Sequence, residues 1–295
     1  MPTTLEPGRP VAAHPRTLLV EFLGAFVRHH DGWAPVSAMV SLMAEVGLDG
    51  PTVRTLVSRL KSRGWLQPEK RAGASGYRLT PTALASLAEG DEVVWRARQE
   101  VSLRDGWVLV TFSVPESERA KRHLLRSRLT GLGFGNIGPG VWIAPARMLE
   151  PARSLLRRLE LERFVDTFTA QVPPGGDVSD LIRRGWDLGG INAEYRAFVE
   201  HHEPVVRRWE WPVDPGAAQD HEAFRDYVLT LNAWRQLPFK DPGLPQELLG
   251  PDWAGRAAGD LFVRVVELLE DRARAHAARA WPAHGPDGSR VLRHR

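Results

Sequence analysis

Between Leu18 and Leu60 the apolar residues fall into three stripes of helical period, each fenced by turn residues. Leu18, Leu19, Phe22, Leu23, Phe26 and Val27 form the first. Val36, Met39, Val40 and Met43 form the second, and Val53, Leu56, Val57 and Leu60 the third, both at i, i+3, i+4, i+7. Asp31-Gly32 closes the first segment and Gly47 the second, while Pro51 opens the third and Gly64 ends it. Only Val46 to Gly50 separates the second from the third, which suits the turn of a helix-turn-helix.

The third helix points to a ligand. With its apolar stripe buried, a step of about 100° per residue turns Thr55, Ser58 and Ser62 outward and leaves Arg54 and Arg59 on the shoulders. A solvated structural helix usually mixes acids into such a face, and this one has none. Arginine bonds guanine bidentately in a major groove, and short hydroxyl side chains let a backbone approach phosphates. Beyond Gly64, Trp65-Leu66-Gln67 and Tyr77-Arg78-Leu79 predict two short strands around a tip from Arg71 to Gly76, with Lys70 and Arg71 placed to touch a DNA backbone or minor groove. The prediction is a winged helix-turn-helix over residues 15–90, with DNA contacts at Thr52, Arg54, Thr55, Ser58, Arg59, Ser62, Lys70 and Arg71.

Charge agrees with that division. The net charge of +3 means little as an average. From Gly50 to Thr80, however, seven bases face one acid, Glu69, whereas from Asp177 to Ala280 thirteen bases face eighteen acids. The basic stretch suits a polyanion and the acidic one does not.

At 295 residues the chain has room for two or three domains. Its 43% hydrophobic and 25% charged content is that of a globular protein. No apolar run is long enough to span a membrane, nothing before Leu18 resembles a signal peptide, and cysteine is absent. These features remove disulfides, thiolate zinc sites and a cysteine nucleophile, and fit a cytoplasmic protein.

Residues 91–175 read as a linker helix and then a β-α-β-β-α-β unit of ferredoxin-like order. The strands are Trp107 to Val114, Phe134 to Ile137, Val141 to Ala144 and Phe164 to Val172, with helices over 117–132 and 148–161. Gly133-Phe134-Gly135-Asn136-Ile137-Gly138 matches GxGxxG, but its glycines follow a helix and lead into strands, the reverse of a phosphate loop. The unit also resembles the small metal-dependent nucleases of CRISPR adaptation, which carry an aspartate at the end of their first strand. Here Thr111-Phe112-Ser113-Val114 holds no carboxylate, and Mg²⁺-assisted cleavage needs hard oxygen ligands. A dimerisation scaffold is the better reading.

Pro173-Pro174-Gly175-Gly176 marks a boundary, after which residues 176–281 read as an all-helical domain and 282–295 as a disordered tail. Five of the eleven tryptophans lie between Trp186 and Trp253. Aromatic stripes at helical spacing serve as core more often than as ligand cages. The candidates for an effector site are Trp186, Tyr195, Trp209, Trp234 and Arg235, with Arg183, Arg184, Arg207 and Arg208 as further partners for phosphates. Neighbouring histidines at His29-His30 and His201-His202 point about 100° apart on a helix, so neither pair alone chelates a metal. No metal site and no catalytic motif (HExxH, GxSxG or P-loop) is present.

Three sets of residues together resemble the PaaX family of bacterial transcriptional repressors. The first is Asp31-Gly32-Trp33 with the run Val53 to Leu66; the second is Gly133-Phe134-Gly135 with Pro139-Gly140-Val141-Trp142. The third is Trp186-Asp187-Leu188 with Tyr195-Arg196-Ala197-Phe198, Arg235, Asp241-Pro242, Leu244-Pro245, Glu247-Leu248-Leu249 and Asp252-Trp253. The resemblance implies a dimeric repressor of a catabolic operon that an acyl-CoA, phenylacetyl-CoA in the founding members, releases from double-stranded DNA. The expectation is therefore an α+β chain that regulates transcription as a homodimer, without catalysis and without a cofactor beyond that effector. The competing expectations are a nuclease targeted by the winged helix and an enzyme acting on CoA thioesters.

Overall fold

The computed structural model describes residues 15–96, 101–173, 176–210 and 217–281. The expected tail over 282–295 lies outside them. The fold mixes helices with two antiparallel sheets, and the chain divides into two compact units, neither continuous in sequence. One comprises residues 1–90, 204–233 and 262–295; the other comprises 91–203 and 234–261.

In the first unit, α1 (Pro15–Phe22) continues as a π-helical turn over Leu23–Val27 and buries all six residues of its predicted stripe. A three-residue strand, β1 (Trp33–Pro35), leads into α2 (Val36–Glu45). The buried stripe of α2 is rotated from the predicted one: Ala38 and Leu42 join Met39 and Met43, while Val36 and Val40 are only half-buried. Ala38 is almost fully buried, and a small residue of this kind is not marked by a stripe of large apolar side chains. The third helix, α3 (Gly50–Ser62), starts where its chemistry says it should. The Asp49 carboxylate accepts a 2.7 Å bond from the Thr52 amide, and Pro51 fills the first turn, where its missing N–H costs nothing. Val53, Leu56, Val57 and Leu60 are buried as predicted, and Gly64 (φ 75°) turns the chain out of the helix.

Strands β2 (Leu66–Arg71) and β3 (Ala74–Leu79) are longer than expected and pair from Leu66↔Leu79 to Arg71↔Ala74. The loop shrinks to Ala72 and Gly73, both at positive φ, the two-residue hairpin geometry whose twist matches its strands. β1 pairs with the other side of β3, giving the order β1-β3-β2. Gly76 has no alternative there: a Cβ would lie 2.4 Å from the Ala34 carbonyl oxygen and 2.6 Å from the Trp33 ring. Helix α4 (Pro81–Arg96) follows, with the Thr80 hydroxyl accepting from the Ala83 amide at its start.

In the second unit the elements are β4 (Trp107–Phe112), α5 (Arg119–Gly131), β5 (Gly135–Gly138), β6 (Val141–Pro145), α6 (Leu149–Arg158) and β7 (Val165–Ala170). All neighbours are antiparallel, in the order β5-β6-β4-β7. The two-residue alternation of strands sorts the core into two faces. Val108, Val110, Trp142 and Ala144 meet Leu129 of α5 and Ala152 of α6 on one face. Trp107 and Ile143 meet Ile182 of α7 (Ser179–Gly185) and Leu244 on the other. Of the GxGxxG glycines, Gly133 follows α5 while Gly135 and Gly138 begin and end β5, and Gly135 gives way to an indole: a Cβ there would stand 2.7 Å from Trp186. Three long helices, α8 (Leu188–Glu210), α9 (Ala217–Arg235) and α10 (Gly255–Ala278), complete the chain, α8 running through Pro204.

Candidate nucleic-acid interface and effector cavity

Arg54, Thr55, Ser58, Arg59 and Ser62 are all exposed on α3, with Lys61 and Arg63 beside them, and no acid interrupts the helix. Thr52 is half-buried in the first turn. The Thr55 hydroxyl donates to the Pro51 carbonyl at 3.0 Å and the Ser62 hydroxyl to Arg59 at 2.9 Å, so each holds a fixed rotamer and still offers its oxygen outward as an acceptor. Hydrogen bonds from Thr52 hold the Asp49 carboxyl below the usual carboxylate range, so the cap stays ionised.

The hairpin separates its two cations. Lys70 is exposed. Arg71 turns back: its Nε donates to Glu69 at 2.5 Å, another guanidinium nitrogen donates to Asp31 at 2.6 Å, and the guanidinium carbon lies 5.3 Å from the centre of the Trp33 ring. Glu69 also accepts from Arg78 at 2.6 Å. Arg71 therefore ties the tip end of the hairpin back to Asp31 and Trp33, whereas the sequence reading places it facing DNA beside Lys70. The signal was available in the alternation of the strand, which sends adjacent side chains to opposite faces.

The five residues singled out for an effector do not form one site. Trp209 belongs to the first compact unit, where its indole donates to Asp226 at 2.7 Å under the Arg272 guanidinium. Trp186 packs on the central sheet beside Trp107 and donates to the Gly133 carbonyl at 2.9 Å. Arg235 is bound to Asp91 at 2.7 Å. Tyr195 and Trp234 do come together, on the wall of a cavity of about 530 Å³ in the second unit. Trp253 lines it too, with its ring 5.7 Å from that of Tyr195 and edge-on to it.

Sequence reasoning missed the charged part of this lining, which is Asp105, Asp241, Glu247 and Asp260 against one base, Arg256. The Tyr195 hydroxyl donates to Asp241 at 2.7 Å, and the second oxygen of Asp241 accepts from the Gly243 amide at 2.7 Å. Burial raises the Asp241 carboxyl above its usual value and, with Asp241 beside it, raises the Tyr195 hydroxyl as well. The run Asp241 to Leu249 was marked only by prolines and by its resemblance to a family; no local periodicity says that such a loop faces a cavity. Among the described residues, no group of three or more histidine, cysteine or acidic side chains is placed to hold a metal ion, and no helix is long and apolar enough to cross a membrane.

The class these parts define is a transcriptional regulator rather than an enzyme. Residues 14–83 match the family model for PaaX-like proteins, 100–182 the PaaX central Cas2-like domain, and 186–279 the PaaX-like C-terminal domain. The chain belongs to the PaaX family. It is 26% identical over 265 residues to the transcriptional repressor PaaX of Escherichia coli strain K12, covering 88% of this chain and 81% of that one. A solved structure, the uncharacterized protein Rv0674 of Mycobacterium tuberculosis, shares the fold with a TM-score of 0.55 at 21% identity, over 90% of this chain and 99% of that one.

Proposed function

We propose that the chain is a cytoplasmic DNA-binding repressor that reads an operator through a winged helix-turn-helix and is released by an aryl acyl-CoA. The observation that carries this reading is the outward face of α3, basic and hydroxylated along its length without one acid. Three helices followed by a hairpin in a β1-β3-β2 sheet support the winged-helix assignment. Arg54 and Arg59 are the base-reading groups, Thr52, Thr55, Ser58 and Ser62 line the approach to the backbone, and Lys70 touches phosphate from the wing. Arg71 holds the wing in place.

The order β5-β6-β4-β7, with α5 and α6 on one face, supports a ferredoxin-like central domain. Its edge strand β7 exposes Phe168, which suits pairing between two copies. A homodimer sets the operator as an inverted repeat with half-sites about one helical turn, or a multiple of it, apart.

The cavity at Tyr195, Trp234 and Trp253 is the site for the acyl group. Its carboxylates repel phosphates, so the nucleotide end of a CoA thioester lies outside it. Four of the arginines considered for those phosphates are engaged within the protein: Arg183 with Asp180, Arg184 with the Ile137 carbonyl, Arg208 with Asp226 and Arg235 with Asp91. Release needs a ligand that binds the free protein more tightly than the DNA-bound one. The test is a gel shift on the DNA upstream of its own gene, with phenylacetyl-CoA added. Binding followed by release supports the whole reading; no shift, or a shift indifferent to Arg54→Ala/Arg59→Ala, removes the DNA-reading assignment.

A further inference from the structure

The most basic stretch of the chain is outside α3. Between Arg119 and Arg158 nine lysines and arginines face one acid, Glu150, and α5 alone carries five bases and no acid. The core fixes how they are displayed. Leu125 and Leu129 of α5 and Ala152 and Leu156 of α6 are buried in the clusters that pack against the sheet. Both helices therefore cover the same face, and their polar sides point away from it. Arg119, Arg126, Arg128 and Arg157 are exposed, and none of the four hydrogen-bonds or pairs with a described residue.

Some exposed arginines of this unit do have carboxylate partners, as Arg153 does in Glu150, Arg163 in Glu118 and Arg183 in Asp180. A chain with 39 bases and 36 acids has enough carboxylates to intersperse, yet three of these four guanidinium groups share one helix, α5, that holds no acid at all. Their mutual repulsion weakens the fold slightly and is relieved by a polyanion. Guanidinium groups match phosphate oxygens in geometry and are cheaper to desolvate than ammonium groups. The face exposes no tryptophan, tyrosine or phenylalanine, and His123 is the one ring on α5 on which an unpaired base would stack, which favours a duplex backbone over a single strand.

We propose that the outer face of α5 and α6 is a second DNA-binding surface that contacts phosphates without reading sequence, through Arg119, Arg126, Arg128 and Arg157. The inference rests on the reading of the chain as a DNA-binding repressor, and the experiment separates the two.

Full-length protein is titrated onto a mixed-sequence duplex of about 60 bp over a range of salt concentrations. Replacing all four arginines by alanine is expected to weaken binding about tenfold or more near ~0.1 M salt and to reduce the slope of log K against log salt by about 3. The fourfold Arg→Lys variant keeps the charge and is expected to bind close to wild type. Matching thermal unfolding of the variants checks that the fold is intact. Wild-type affinity and slope in the alanine variant, while Arg54→Ala/Arg59→Ala binds weakly, overturns the second surface and leaves the α3 reading standing. Unchanged binding by both variants overturns both. A lysine variant as weak as the alanine one overturns the electrostatic basis. An alanine variant that keeps DNA but loses free coenzyme A assigns the arginines to nucleotide phosphates, and overturns the proposal too.

Discussion

The indole Nε1 of Trp281 donates a 2.8 Å hydrogen bond to the backbone carbonyl of Trp33 across 248 residues of sequence. The Trp281 ring also lies 4.8 Å from His30 and 6.2 Å from Phe22, while Phe26 meets Phe224 at 5.2 Å. At the end of α2, Glu45 accepts a 2.8 Å bond from His276 of α10. The N-terminal helices thus share one core with residues from the C-terminal third, and α3 packs against α1 and α2.

Trp281→Ala should therefore destabilise the unit that carries α3, by about 3–5 kcal/mol for a buried indole. Trp281→Phe, which keeps most of the packing and loses the hydrogen bond, should cost about 1 kcal/mol. Urea unfolding of the full chain checks both. A wild-type midpoint for Trp281→Ala would show that the end of α10 is dispensable.

Lys70 and Arg71 are neighbours with opposite expected phenotypes. Lys70→Ala should leave unfolding unchanged and lower the salt slope of DNA binding by about one unit. Arg71→Ala removes an ion pair with Glu69 whose side chains are 23% and 30% exposed, along with a more exposed one to Asp31, and leaves Glu69 with Arg78 alone. A loss of about 1–2 kcal/mol in stability is expected, with weaker DNA binding as its consequence. The same thermal midpoint for the two variants would contradict the division of roles.

Two buried groups give stability an opposed dependence on pH. Burial, and next His201, depress the His202 imidazole to about 4, below its unfolded value of 6.5. Its unfolded form binds the extra proton, so stability is held above about 6.5 and is lost as pH falls through 4, by roughly 3 kcal/mol in all. The Asp241 carboxyl is raised above 3.8 by burial, so its folded form holds the proton longer and stability falls as pH rises from 3.8 to that raised value. His202→Leu should flatten the acid limb of a stability profile, and Asp241→Asn should remove the falling component. A pair of unchanged profiles would place both groups in water.

What the sequence discloses is what lies close along the chain. The apolar stripe of α3, its Asp49 cap and Pro51, and the strand–helix order of the central sheet are local, and each follows from side-chain period and backbone chemistry. The hairpin strands are longer than the sequence suggests because the turn is confined to Ala72 and Gly73, with Ala72 at a positive φ without being glycine, while the small residues through Gly76 belong to β3. The cavity was half seen. Its lining comes from residues near Val101, from Tyr195 and Trp234 on two helices, and from the loop after Asp241, and no period relates segments so distant. Trp209 and Trp234 look alike on a helical wheel, yet one donates to Asp226 and the other lines the cavity. The five bases of α5 are legible in the sequence, but which of them find a carboxylate, as Lys121 and Arg122 do, is decided only by the fold.

Trp253 offers the sharpest test of the effector cavity, because it is half-exposed on the wall, and so less important to the core than the buried Tyr195 or Trp234. An aryl acyl group entering the cavity would stack on this ring, a contact worth about 0.5–1.5 kcal/mol beyond the area it buries. Trp253→Ala should weaken phenylacetyl-CoA binding about tenfold in calorimetry while operator affinity without ligand stays at the wild-type level. More thioester should then be needed to release the DNA, in proportion to the lost affinity, because the population shift is limited by differential binding. Trp209→Ala, in the other compact unit, serves as the control and should leave ligand affinity unchanged. Equal losses from the two substitutions, or none from Trp253→Ala, would move the ligand out of this cavity.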